Sequence, residues 1–272
     1  MYLSISSYSW LPSSFLGKLR LVHEQGIEGV EIFATPRHLD INNPEEIQQA
    51  GIMIRDLGFR YVTMHAPSSV GDLSSPDESL REETILACQR TLDAAMLVGA
   101  SLVTFHPSSI EGEMTQSKER WISLQESLRD LSGYGEDRDL NVAIENFPKP
   151  LFGCDPRELY HQISSLNLPN VGMCLDIGHA FVGGHLPAVL AEFGEKIFSV
   201  HASDNRGRVD EHMTPGQGVV PWEEIITGLR QLEFRGPFVV EVRDGRRFEL
   251  ILHDIIGFAD KMGLSGVGQL SH

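Results

Sequence analysis

The chain has 272 residues, with 22 Lys+Arg against 38 Asp+Glu and a formal charge of −16. That length suits one large α/β domain or two small ones and is ample for a sizeable core. The 41% hydrophobic and 22% charged fractions exclude a disordered chain, and the acidity argues against simple electrostatic capture of nucleic acid or an anionic membrane.

Short apolar runs alternate with longer amphipathic stretches. Strands are predicted at residues 3–6, 29–33, 61–65, 102–106, 141–145, 171–176, 197–201 and 238–242. Continuous apolar strands of this kind suit a parallel sheet covered by helices. Three helix starts share one design: Asn43-Pro44-Glu45-Glu46, Ser75-Pro76-Asp77-Glu78 and Asp155-Pro156-Arg157-Glu158. In each, a cap side chain accepts from orphan amides, Pro gives up an amide that has no partner, and Glu bonds back. Helices are therefore predicted to begin near Pro44, Pro76 and Pro156, with others at 118–131, 186–193, 222–231 and 247–261. From Ser79 onward, Ile85, Cys88, Leu92 and Ala95 recur on one helical face.

Eight strand-plus-helix units predict a single (β/α)8 barrel over residues 1–263, a fold that needs about 250 residues. The rival, an open doubly wound sheet, would show a glycine-rich turn after its first strand. Ser6-Ser7-Tyr8-Ser9 stands there instead. Residues 264–272 are expected to form a flexible tail. Cys88, Cys154 and Cys174 are widely spaced, with no Cys-x-x-Cys. No disulfide framework is expected, and a reducing cytoplasm is the default. No signal peptide or membrane span is expected.

The predicted strands three to eight end on His65, His106, Glu145, Asp176, His201 and Glu241. All would stand at the C-terminal mouth, where barrel enzymes place their sites. One such residue would be read as a satisfied core polar group. Six unpaired ionisable groups packed together would cost more than a domain's net stability of about 5–15 kcal/mol. A bound cation is the simplest way to satisfy them. His179 and the Asp210-Glu211-His212 segment extend the set. Nitrogen and oxygen donors without cysteine suit Zn or Mn best, with Co or Fe as alternatives, and suit a catalytic rather than a structural site.

The strings ending in His65, His106-Pro and Glu145-Asn146 resemble the xylose isomerase-like barrel superfamily. So do Asp176-Ile-Gly-His179, His201-Ala-Ser-Asp204-Asn205, the segment from Arg208 to Gly218, and Val-Glu241-Val. That superfamily holds sugar and sugar-phosphate isomerases and epimerases, and also endonuclease IV. The resemblance implies four core ligands, Glu145, Asp176, His201 and Glu241, with the two glutamates moving protons on opposite sides of a bound sugar. It also implies substrate contacts from His179 and from Arg206 or Arg208. In endonuclease IV the ligand set is larger and holds three zinc ions. Its nine ligand types can be placed here at His65, His106, Glu145, Asp176, His179, His201, Asp210, His212 and Glu241. One to three ions are therefore expected.

Isomerisation and epimerisation of sugars share one hard step, the loss of a proton next to a carbonyl. The developing enediolate must be stabilised, which a chelated divalent cation does as a Lewis acid. A nearby carboxylate acts as base and returns the proton elsewhere. Glu145 and Glu241 are assigned as that pair, and the expected substrate is a small sugar, sugar phosphate or keto-sugar derivative. Phosphodiester hydrolysis at abasic-site DNA is the alternative, but segments 66–72, 107–116 and 177–185 carry no Lys or Arg, so nucleic acid is not an expected partner. A dehydratase or lyase acting on a keto-sugar or inositol derivative is a further alternative. A noncatalytic sugar sensor would not need so many ligands. Trp10 and Phe33 serve either as an apolar wall beside a sugar or as core. Gly216-Gln217-Gly218 is read as a tight turn, Cys174 as core, and His38 is left outside the site. Barrels of this kind often associate, so a homo-oligomer is compatible with the chain.

Overall fold

The computed structural model describes residues 1–11, 13–108, 116–243 and 245–264. The expected tail falls almost wholly outside the described residues, as does most of the 107–116 mouth segment. Eight parallel strands close a barrel in chain order: β1 (Tyr2–Ser6), β2 (Gly29–Phe33), β3 (Tyr61–His65), β4 (Leu102–Phe105), β5 (Asn141–Glu145), β6 (Val171–Asp176), β7 (Ile197–Ala202) and β8 (Pro237–Val240). β8 pairs back onto β1. The helices are α1 (Leu16–Glu24), α2 (Pro44–Leu57), α3 (Glu78–Val98), α4 (Lys118–Glu136), α5 (Pro156–Ser164), α6 (Ile177–Val182), α7 (Trp222–Gln231) and α8 (Phe248–Met262). Among the described residues, no helix is long and apolar enough to cross a membrane.

The main core is one continuous cluster that includes Leu3, Ile32, Val103, Leu128, Ile225 and Ile255. A second cluster joins Leu102, Ala143 and Cys174, so Cys174 does sit in the core.

Caps explain most helix starts, and one of them corrects the sequence reading. Asn43 accepts from the Glu45 and Glu46 amides, and Asp155 from Arg157, with Pro at the first helical position in both. The third helix does not start at Pro76. Asp77 is its cap, accepting from Ser79 and Leu80, while Ser75 Oγ accepts from the Asp77 amide. A carboxylate two residues downstream took the role expected of Ser75. Residues 186–193 give only a 3₁₀ turn, Ala188–Glu192. Two α-helices go beyond the sequence reading: α1, and the short α6, which opens where a mouth loop was expected because Asp176 caps the His179 amide.

The long connection from β7 to α7 carries Asp210 and His212, and one buried carboxylate organises it. Asp204 Oδ1 accepts from the Asn205 amide at 2.9 Å and the Val220 amide at 3.1 Å. Its Oδ2 accepts from the Gly216 amide at 2.7 Å and from Trp222 Nε1 at 2.9 Å. A Cβ at Gly218 would overlap Asp204, and Gly216 has φ +90°, so this pair of glycines shapes a turn around the carboxylate. Replacing Asp204 by Ala strands several buried donors, each costing about 1–3 kcal/mol. We expect Asp204→Ala to lose about 3 kcal/mol or more of stability in urea denaturation. A loss below about 1 kcal/mol would show that the loop holds itself without this hub.

Candidate metal centre

The strands deliver their terminal side chains to one mouth. Phe33 is in register with His65, and Asp176 with His201. His106 and Glu241 stand one residue beyond β4 and β8, and His201 one residue before the end of β7. A cavity of about 400 Å³ opens there. Its walls include Phe33, His65, His106, Glu145, His179 and Glu241.

Glu145 is the hub. Its Oε2 lies 3.1 Å from His65 Nε2 and 3.2 Å from His106 Nε2, and its Oε1 lies 2.9 Å from His201 Nδ1. Glu241 Oε2 is 3.4 Å from the same His201 nitrogen. On the other side, Asp210 Oδ2 lies 3.2 Å from His179 Nε2 and 2.9 Å from His212 Nε2. The donor atoms fall into three groups, each within 4.8 Å: His65, His106 and Glu145; Glu145, Asp176, His201 and Glu241; and His179, Asp210 and His212. Cys174 is also within reach of Glu145 and His201. Burial pushes its thiol up to about 12, which suits a core residue and not a thiolate ligand.

Three of the imidazoles share one pattern. His65 Nδ1 meets the Ala66 carbonyl at 2.7 Å, His179 Nδ1 the Asn146 carbonyl at 2.8 Å, and His212 Nδ1 the Glu241 carbonyl at 3.3 Å. A carbonyl only accepts, so each of these nitrogens must donate. In the neutral ring the other nitrogen then carries a lone pair, and in all three it faces a site carboxylate. Two acceptors face each other unless a proton or a cation lies between them. Asp176 Oδ2 and Asp210 Oδ1 are buried with no hydrogen-bond partner among the described residues. With those protons displaced, the outward nitrogens and the orphaned carboxylate oxygens make a donor set that suits a divalent cation.

The electrostatics reflect this crowding. Burial pushes Asp176 up to about 7 and also raises Glu241. Burial would raise Glu145 too, but the His201 charge beside it and its imidazole hydrogen bonds hold it well below the usual carboxylate range. Burial brings His106 down to about 4. Burial opposes charge on His179, yet Asp176 and Asp210 lift it to about 10.

Asn146 positions the second group. Its amide takes the Asp176 backbone N–H at 2.9 Å and donates to the Asp176 carbonyl at 3.1 Å.

The cavity lining includes His179, as the resemblance implied for a substrate contact, but not the arginines it implied. Arg206 is exposed and paired with Glu211, and neither it nor Arg208 lines the cavity. Arg243 does, its guanidinium 5.4 Å from the Tyr8 ring. Phe33 lines the cavity, whereas Trp10 does not: it is buried against Phe248 and donates to the Phe15 carbonyl. His38 packs on Trp10 and Phe15, away from the mouth. Glu31, Tyr8, Phe147 and Arg243 escaped the sequence reading. Glu31 was signalled as the lone charge inside an apolar strand, and Arg243 by standing two residues after Glu241.

Residues 19–260 match the model of the xylose isomerase-like TIM barrel family. Fructoselysine 3-epimerase of Shigella flexneri is 23% identical over 229 residues, covering 80% of this chain and 82% of that protein. Probable endonuclease 4 of Aquifex aeolicus is 27% identical over 199 residues, covering 66% of this chain and 70% of its own. A crystal structure of the IolI protein with a bound zinc atom superposes with TM-score 0.85 at 20% identity, covering 99% of this chain and 100% of that one. This chain therefore belongs to the xylose isomerase-like TIM barrel family.

Proposed function

We propose that the protein is a divalent-metal-dependent isomerase or epimerase of a small sugar or sugar derivative. The observation that carries the metal reading is the set of imidazoles tied at one nitrogen and turned at the other toward a site carboxylate. Glu145, Asp176, His201 and Glu241 would hold the ion, Zn or Mn by their donor chemistry. When bound, it would supply Lewis-acid stabilisation of the charge that develops as a proton leaves the carbon next to a carbonyl.

The two glutamates differ in freedom. Glu145 is held by three imidazoles at 2.9–3.2 Å. Among the described residues, the side chain of Glu241 pairs with His201 alone, at 3.4 Å, and it borders the cavity. Glu241 is the freer base, and Glu145 faces it across the mouth as the second proton carrier. Phe33, Phe147 and Leu151 give the cavity apolar walls, while Tyr8, Thr35 and Ser68 offer hydroxyls to a polyol. A cavity of about 400 Å³ lies within the usual range for a small ligand. The epimerase named among the relatives supports the same class.

The three donor groups also favour a second reading, hydrolysis of a phosphodiester at a multi-metal centre. A named endonuclease among the relatives is consistent with it. A DNA-binding rim would normally be rich in Lys and Arg. Among the described lining residues, Arg243 is the sole permanent cation, so the sugar reading ranks first.

Solvent deuterium incorporation into a panel of ketoses, aldoses and their phosphates tests the proton transfer. We expect exchange with at least one sugar, and a fall of about 10²-fold or more in both Glu145→Gln and Glu241→Gln. Unchanged exchange in both variants would refute the pair. Chelation should abolish turnover, and Zn or Mn should restore it; chelator-resistant turnover would remove the metal from the mechanism. An abasic-site duplex should stay intact under the same conditions. Metal-dependent nicking without sugar turnover would reverse the ranking.

A further inference from the structure

We propose that Glu31 is a positioning residue: it holds His201 in the form that carries its proton on Nε2 and turns the Nδ1 lone pair toward Glu145 and Glu241. Glu31 lies in the middle of β2, in register with Thr63, and is fully buried. Its Oε2 is 3.2 Å from His201 Nε2 and 3.3 Å from Thr63 Oγ1. β2 and β7 are not neighbours in the barrel, so this contact crosses the lumen beneath the mouth.

His201 departs from the pattern of these three imidazoles. His65, His179 and His212 each rest one nitrogen on a backbone carbonyl. His201 rests its nitrogen on a carboxylate 170 residues away in sequence. A carboxylate accepts more strongly than a carbonyl, and a buried one must be used or neutralised. Both ring nitrogens of His201 are thus fixed: Nε2 toward Glu31, and Nδ1 at 2.9 Å from Glu145 Oε1 and 3.4 Å from Glu241 Oε2. Only the tautomer with Nε2–H offers the ion a lone pair among the other ligands. A carboxylate behind a ligating imidazole fixes its orientation and raises its basicity, and losing such a partner costs about 10–100-fold in metal affinity. Glu31 therefore acts through His201 and does not itself face the cavity lining.

The inference rests on the metal reading of the mouth, not on the sugar chemistry. The full-length protein, stripped with chelator, is titrated with Zn(II) alone against a chromophoric competitor. Glu31→Gln keeps shape and volume but removes the charge, so a residue that only filled space would leave zinc affinity unchanged. We expect the tightest zinc step to weaken about 10–100-fold in that variant, with the melting transition kept. Equal affinity would overturn the proposal. A second measurement needs no variant: in the zinc-loaded wild type, long-range proton–nitrogen NMR should place the His201 proton on Nε2, and a proton on Nδ1 would overturn it. Failure of the wild type to take up zinc at all would instead remove the metal reading itself.

Discussion

The mouth of this barrel depends on one constraint, the compensation of buried carboxylates. Glu31, Glu145, Asp176 and Glu241 are all buried at or just beneath one opening. Isolated, each anion would be far too expensive to keep in a protein interior. Imidazoles answer most of the charge: His65, His106 and His201 surround Glu145, and His179 and His212 flank Asp210. The same nitrogens that hold the compensating protons, together with buried carboxylate oxygens that have no partner among the described residues, form the donor set that a divalent cation would use in their place.

The fold's contribution is placement. A closed parallel barrel sends the ends of successive strands to one face, so residues more than a hundred positions apart meet without long loops. Of the three donors that lie away from the strand ends, His179 sits in α6, directly after β6, whereas Asp210 and His212 come from a connection that the strands cannot position. The Asp204 hub does that work, with four donors drawn onto one carboxylate. Asn146 does the same with its side-chain amide for Asp176 and with its backbone carbonyl for His179. The site therefore rests on buried polar groups that never meet a ligand.

The barrel and the strand-end residues were legible because both follow from period and position. An apolar run that stops on His or Glu marks a strand and its mouth at once, as at residues 61–65 and 141–145. Glu31 was not found that way, because it interrupts its run in the middle and owes its role to a partner across the lumen. Arg206 and Arg208 were implied only by the resemblance, as arginines that follow the His201 motif. Side-chain direction in a long loop is decided by packing, and it turned Arg206 outward onto Glu211 while Arg243 faced the cavity. The repeated Pro-centred caps illustrate the same limit. Three strings looked alike, but in one a nearby aspartate won the competition for the helix amides.

A cation held by the Glu145, Asp176, His201 and Glu241 group can be located by anomalous diffraction from crystals grown with stoichiometric zinc, collected on either side of the zinc edge. We expect an anomalous peak enclosed by those four side chains, within about 2.0–2.2 Å of His201 Nδ1 and of carboxylate oxygens. A mouth with no anomalous density, its imidazoles simply protonated against the carboxylates, would contradict it.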